Sequence, residues 1–251
     1  MTVSRVAVEE VGWTVARAAA AVRLVALDRL ELADTVVPLA PVAGVGSLEV
    51  LQTTLYQHVY CHPIGTAFDT TWRPHEDRDI GDVLLAASRT RERWDGGWIV
   101  ESVDAGGGAL LRRDGDRRWA APQSYRATGA AGNGQPAVAE LHIVPASRTE
   151  QPGFVHIFGE TLPDGDEGAA LARVYWNIGA DAAPELVTRV TVTLNRFRVP
   201  FRLKCLDRHA AYDRCDAAVL YLKRRHWGWA MALLAETCRA LAPAIAPAVP
   251  L

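Results

Sequence analysis

The sequence predicts an α+β fold: a largely antiparallel sheet with N-terminal helices and a C-terminal helix packed on it. Three observations carry this. Strand-like segments rich in β-branched and aromatic residues run in succession from Gly97 to Ile178 with glycine-rich turns between them, as in an antiparallel meander. Helical periodicity sits before and after that block rather than alternating with each strand, which argues against βαβ units. At 251 residues, with 49% hydrophobic and 22% charged residues, the chain can bury a sizeable core and is an ordinary globular sequence.

Taken in order, residues 1–80 read as a mostly helical N-terminal region and residues 81–251 as an α+β core, the two forming one continuous domain. WTVARAAAAVRLVALDRL contains strong helix formers, and SLEVLQTTLYQHVYC places Val50, Leu51, Leu55 and Val59 at helical spacing. VVPLAPVAGVGS between them reads as an irregular connection. HPIGTAFDTTWRPHEDRD reads as a loop whose histidines, His62 and His75, lack a carboxylate partner at a metal-ligand spacing. From Gly97, GWIVESV, ALLRR and RRWAAP are strands, RATGAAGNGQPA is a loop, and AVAELHIV, FVHIFGE and LARVYWNI are three further strands. DAAPELVTRVTVTLNRF follows as a helix. Asp181 is its expected cap, Pro184 suits its first turn, and Leu186, Val187, Val190, Leu194 and Phe197 form its apolar stripe. VPFRLKCL and DAAVLYL return as strands, and WGWAMALLAETCRALA closes as a helix before the prolines of the tail.

Several function classes lose support at this level. The net charge of −2 gives no global attraction to nucleic acid or membrane. The N-terminal residues carry Glu9 and Glu10 and no uninterrupted apolar stretch, and the Ala-rich run from Ala16 to Leu32 is too charged to span a bilayer. Cys61, Cys205, Cys215 and Cys238 form no CxxC pair and no zinc-ligand spacing, so the expectation is a reduced cytoplasmic protein with neither structural metal nor cofactor. Charge is nonetheless uneven. Ten Lys or Arg face three Asp between Arg189 and Arg225, a local field suited to a small anion.

Within that basic run stands Lys204, which shares with Lys223 the distinction of being a lysine in a chain of 27 basic residues that are otherwise arginines. Arginine keeps its proton in a protein. A desolvated lysine crowded by cations becomes a neutral amine able to act as a base. Strand alternation sets Arg202 and Lys204 apart from Val199, Phe201, Leu203 and Cys205. It likewise sets Arg173, Tyr175 and Asn177 apart from Val174, Trp176 and Ile178, and His156 apart from Val155 and Ile157. If these polar faces converge, one surface presents six functional groups; if they do not, they are the solvated faces that amphipathic strands normally have.

PFRLKCLDRHAAYDRCDAAVLYL resembles the signature of the HopA effector family of plant-pathogenic bacteria, through Pro200, Phe201, Lys204, Tyr212, Arg214, Asp216 and the apolar run that follows. It is also similar to the HopA-like lyase subunits of class V lanthipeptide and thioamitide pathways. RVYWNI and LNRFRVPF resemble the same family, and LYQHVYC and DGGW match it more loosely, so that the likeness covers most of residues 50–225 and is specific over 171–222. The resemblance implies elimination of phosphate from phosphoserine or phosphothreonine of a ribosomal precursor peptide, giving dehydroalanine or dehydrobutyrine. A separate kinase-like protein would phosphorylate the peptide, and a cyclase subunit is a further expected partner. On this reading Lys204 is the base. Arg173, Arg202 and Arg214 hold phosphate, with Asn177 beside them and Asp216 orienting Arg214. His156, Tyr175 or Tyr212 protonates the leaving oxygen, with His142 a rival. The alternatives are a non-catalytic subunit binding phosphopeptide or leader peptide, and, well behind, a nucleic-acid-binding protein using the basic run without any recognised motif.

Overall fold

The computed structural model describes residues 22–26, 29–32, 35–39, 47–56, 60–61, 77–129, 136–163 and 170–246. The first described elements are strands β1 (Val22–Ala26), β2 (Arg29–Leu32) and β3 (Thr35–Pro38), paired antiparallel in the order β1-β2-β3. This corrects the helix expected over WTVARAAAAVRLVALDRL for the part from Val22 onward; the part before it, and the loop containing His62 and His75, lie outside the described residues. Alanine-rich composition is a weak local prior, and the valines at positions 22, 25, 36 and 37 favour strand pairing where neighbouring segments supply partners. Helix α1 (Ser47–Leu55) lies where the periodicity of SLEVLQTTL put it.

A short helix that the sequence reading missed, α2 (Gly81–Ala87), comes next, with the Asp79 carboxylate accepting from the Gly81 N–H at 2.8 Å. Seven residues offer too few turns for a periodic signal. Strands β4 (Arg93–Val103), β5 (Ala109–Arg113), β6 (Asp116–Ala120), β7 (Tyr125–Ala127) and β8 (Val138–Ile143) then form an antiparallel sheet in the order β6-β5-β4-β8-β7. Gly107 and Gly115, at φ values of 83° and 87°, make the turns that join β4 to β5 and β5 to β6. Trp98, Leu111, Ala139 and Leu141 fill the core of this sheet.

The second five-stranded sheet is built from β9 (Ala146–Ser147), β10 (Phe154–Phe158), β11 (Leu171–Trp176), β12 (Arg202–Leu206) and β13 (Ala218–Lys223), in the order β11-β13-β12-β10-β9 and antiparallel throughout. One face is apolar. Val155, Ile157, Trp176, Leu203, Cys205, Leu220 and Leu222 share a core with α2, α3 (Ala183–Arg196) and α4 (Trp227–Leu241), through residues such as Leu84, Val190, Leu194 and Leu234. Helix α3 begins at Ala183 with Pro184 in its first turn as expected, but Asp181 does not cap it. No side chain does, and the Asp181 carboxylate instead faces Arg78 and His209. The architecture is therefore α+β with antiparallel sheets. The helices flanking the second sheet come from before, between and after its strands, rather than from an all-helical N-terminal region.

Among the described residues no cluster of three or more His, Cys, Asp or Glu has the geometry to hold a metal ion, and no helix is long and apolar enough to cross a membrane.

Candidate functional site

Because β12 lies at the centre of the second sheet, its outward face is flanked on both sides by other strands. The ladder puts Lys204 directly opposite His156 on β10 and Val219 on β13. Val219 in turn pairs with Tyr175, and His156 with Ser147. One row across the sheet thus reads Ser147, His156, Lys204, Val219, Tyr175. The adjacent row reads Phe158, Arg202, Tyr221, Arg173. Five of the residues singled out by alternation, Arg173, Tyr175, His156, Arg202 and Lys204, therefore share one face, because an antiparallel ladder keeps like-parity positions in register.

This face grades from dry to wet. Lys204 and His156 are buried, with 7% and 4% of their surface exposed, whereas Arg173, Tyr175 and Arg202 are exposed. The Lys204 ammonium lies over the Phe154 ring, 4.0 Å from its centre. Burial pushes the Lys204 pKa down, and although the nearby Asp216 carboxylate pulls it back, the guanidiniums of Arg214 and Arg202 push it further down. His156 moves the same way. Burial comes first, then Arg202 and Lys204, against an opposing pull from Glu150. Both ring nitrogens of His156 are buried and make no hydrogen bond to a described residue. A buried imidazole without partners is costly, and such groups warrant a functional explanation. Next to them, the guanidinium carbons of Arg202 and Arg173 lie 4.5 and 5.6 Å from the Tyr221 ring centre. Neither arginine is ion-paired to a described carboxylate.

Asp216 and Arg214 form a different kind of cluster. Arg214 grips the fully buried Asp216 carboxylate with two hydrogen bonds, Nε to Oδ1 at 2.9 Å and Nη2 to Oδ2 at 3.0 Å, as the sequence reading anticipated. The Tyr56 hydroxyl also donates to Asp216 Oδ2, and Arg214 Nη2 contacts Cys61 Sγ at 3.0 Å. Burial raises the pKa of Asp216, but these donors outweigh it and hold the carboxyl ionised below its ordinary range. Arg214 is thus committed to Asp216 rather than presented to solvent like Arg173 and Arg202. Tyr60 reaches the same corner, stacking on Tyr56 with ring centres 5.1 Å apart and meeting Tyr175 edge-on at 6.2 Å. The thiols here are poor nucleophiles: burial pushes Cys61 up to about 12 and Cys215 up to about 11.

Three other sequence candidates fall elsewhere. Tyr212 is buried in the apolar core and donates its hydroxyl to the Leu206 carbonyl at 2.8 Å, closing the turn after β12. His142 belongs to the first sheet, where it stacks on Trp94 and hydrogen-bonds Glu92 at 2.6 Å. Asn177 lies just past the end of β11 with its carbonyl accepting from the Ala246 N–H. The sequence reading missed Tyr221, Tyr56, Tyr60 and Cys61. Alternation in AVLYLK was sufficient to place Val219, Tyr221 and Lys223 on one face, but nothing local in LYQHVYC points to a contact with residue 216.

All five strands of this sheet, with their polar face, lie in the C-terminal half of the chain. Residues 146–251 match the HopA1 effector protein family. No curated protein matches the chain. The HopA1 match starts at β9 and runs through α4, so it takes in Lys204, His156, the two exposed arginines and the Arg214–Asp216 pair. Tyr56, Tyr60 and Cys61 reach this sheet from outside the matched region.

Proposed function

We propose that this protein is a lyase that eliminates phosphate from phosphoserine or phosphothreonine in a ribosomal precursor peptide, leaving dehydroalanine or dehydrobutyrine, with phosphorylation supplied by a separate kinase-like protein in the cytoplasm. The observation that carries the reading is the direct pairing of Lys204 with His156, two buried bases with depressed pKa values, beside the guanidiniums of Arg202 and Arg173, which no described carboxylate pairs. Lys204, as the neutral amine, takes the Cα proton. The electron pair left behind forms the Cα–Cβ double bond, and the Cβ–O bond breaks with its electrons staying on the departing phosphate. Arg202 and Arg173 hold that phosphate with charge-assisted hydrogen bonds. An arriving phosphate also raises the pKa of His156, so the imidazole takes up a proton and can deliver it to the leaving oxygen. Tyr175 borders the row that contains both groups, and Asp216, fixed by Arg214, tempers the loss of charge on Lys204.

The test is Lys204→Arg, assayed on a phosphothreonine peptide by the mass loss of phosphoric acid. Charge is kept and the base removed, so turnover falls by roughly 10²–10⁴-fold. Near wild-type turnover overturns the assignment. A second reading, a non-catalytic phosphopeptide-binding subunit, is favoured by the exposure of Arg173 and Arg202. It predicts no mass loss with the wild-type protein and unchanged binding in Lys204→Arg.

A further inference from the structure

Between the two five-stranded sheets lies a cleft of about 580 Å³. Leu141 and Ile143 of the first sheet and Phe158, Leu171 and Phe201 of the second contribute its apolar walls. It shares Arg202 and Tyr221 with the polar face that carries Lys204. The volume lies within the range of about 300–1,000 Å³ typical of ligand clefts. Among its charged lining groups Arg118 is paired with Asp116 at 3.4 Å, and Arg202 is the cation that joins the cleft to the polar face. The floor is tightly made. Gly159 donates its N–H to the Phe201 carbonyl at 3.0 Å, and a Cβ at residue 159 would come within 2.8 Å of the Phe201 ring. A site built for free phosphate alone needs none of these apolar walls.

We infer that the cleft seats the peptide residue next to the phosphorylated one, selecting an apolar side chain there while Arg202 and Tyr221 engage the phosphate-bearing residue. The inference rests on the proposed phosphopeptide reading and specifies its substrate: a phosphoserine or phosphothreonine with an apolar neighbour. Burying a leucine-sized side chain is worth enough to change affinity about tenfold or more.

Equilibrium binding measures this without requiring turnover. The probes are phosphothreonine peptides with Leu or the similarly sized Asn on either side of the phosphorylated residue, and the unphosphorylated Leu peptide. Val144 and Leu171 line the cleft with exposed side chains, so Val144→Asn with Leu171→Asn alters the wall without opening the core. Wild-type protein is expected to bind the Leu phosphopeptide at least about tenfold tighter than the Asn one, and the double variant to reduce that preference to about twofold. Equal affinity for Leu and Asn peptides with phosphate dependence intact overturns the cleft and leaves the lyase reading standing. A preference that the double variant leaves unchanged overturns it as well. Selection for Leu without any dependence on phosphate keeps the cleft and sinks the phosphopeptide reading, and failure to bind any of the peptides sinks both.

Discussion

The two five-stranded sheets treat charge in opposite ways. On the first, the arginines sit beside carboxylates: Asp95 accepts from both Arg93 and Arg113, Glu101 from Arg112 and Arg117, and Glu140 from Arg126, while His142 holds Glu92. On the second, Arg173, Arg202 and Lys204 share a face with the His156 imidazole, and among the described residues no carboxylate pairs with the cations and no group hydrogen-bonds the ring. Mutual pairing in water contributes little and leaves no field to attract a ligand. Cations that no described carboxylate pairs repel one another on a half-buried face, a cost that makes sense when an anion arrives to relieve it. Polar strand faces alone do not separate a solvated sheet from a site. The state of charge pairing does.

The contrast can be broken most severely at Asp216. Asp216→Ala leaves Arg214 half-buried without its carboxylate, and removing one partner of a buried pair costs about 3–5 kcal/mol, read by denaturant unfolding. In the molecules that remain folded, the pH at which the proposed elimination sets in moves lower, because Asp216 raises the Lys204 pKa against burial and the neighbouring arginines. Next in size, Arg202→Ala and Arg173→Ala each remove a charge-assisted contact worth about 1.5–3 kcal/mol from phosphopeptide binding, by calorimetry, and leave the unphosphorylated peptide unaffected. On the first sheet, Arg126→Ala changes phosphopeptide binding not at all and stability by about 1 kcal/mol or less. Equal effects on the two sheets erase the distinction.

Much of the site was legible because strand alternation is a property of the chain itself: residue parity alone grouped Arg202 with Lys204 and Arg173 with Tyr175, and separated His156 from Val155 and Ile157. Which strands lie side by side is not a local property, so the direct opposition of Lys204 and His156 emerged only with the register. Tyr212 and Arg214 stand in a stretch where turns replace alternation, and there sequence offered chemistry without direction; one hydroxyl closes a turn and one guanidinium is spent on Asp216. The helix expected before Leu32 failed for a related reason. Alanines set a weak local preference that strand partners override from Val22 onward.

Two further effects sharpen the comparison. Gly159→Ala forces Phe201 to shift and costs about 1–3 kcal/mol of stability by thermal unfolding, with a larger loss of phosphopeptide binding than Arg126→Ala. The slightest effect is on pH dependence. The pKa of His156 lies below its ordinary 6.5 in the folded protein, so the unfolded chain binds the proton more readily. Stability therefore declines as pH falls through about 6.5 and stops declining below the folded pKa, and His156→Gln flattens that slope in chemical denaturation. A slope unchanged by the substitution would mean that the imidazole is solvated rather than buried.

The hydrogen bond from Tyr56 to Asp216 joins residues 160 positions apart. Its consequence is one of timing. During synthesis residue 56 leaves the ribosome long before residue 216 exists, so Tyr56, just past the end of α1, has to wait for its partner, and closing so long a loop is a late and entropically expensive event. The sheet bearing Lys204 and His156 can assemble from neighbouring hairpins, but the pocket around Asp216 is complete only when the N-terminal segment returns to it. Closure of the buried corner beside Lys204 thus comes late, after residue 216 has been made.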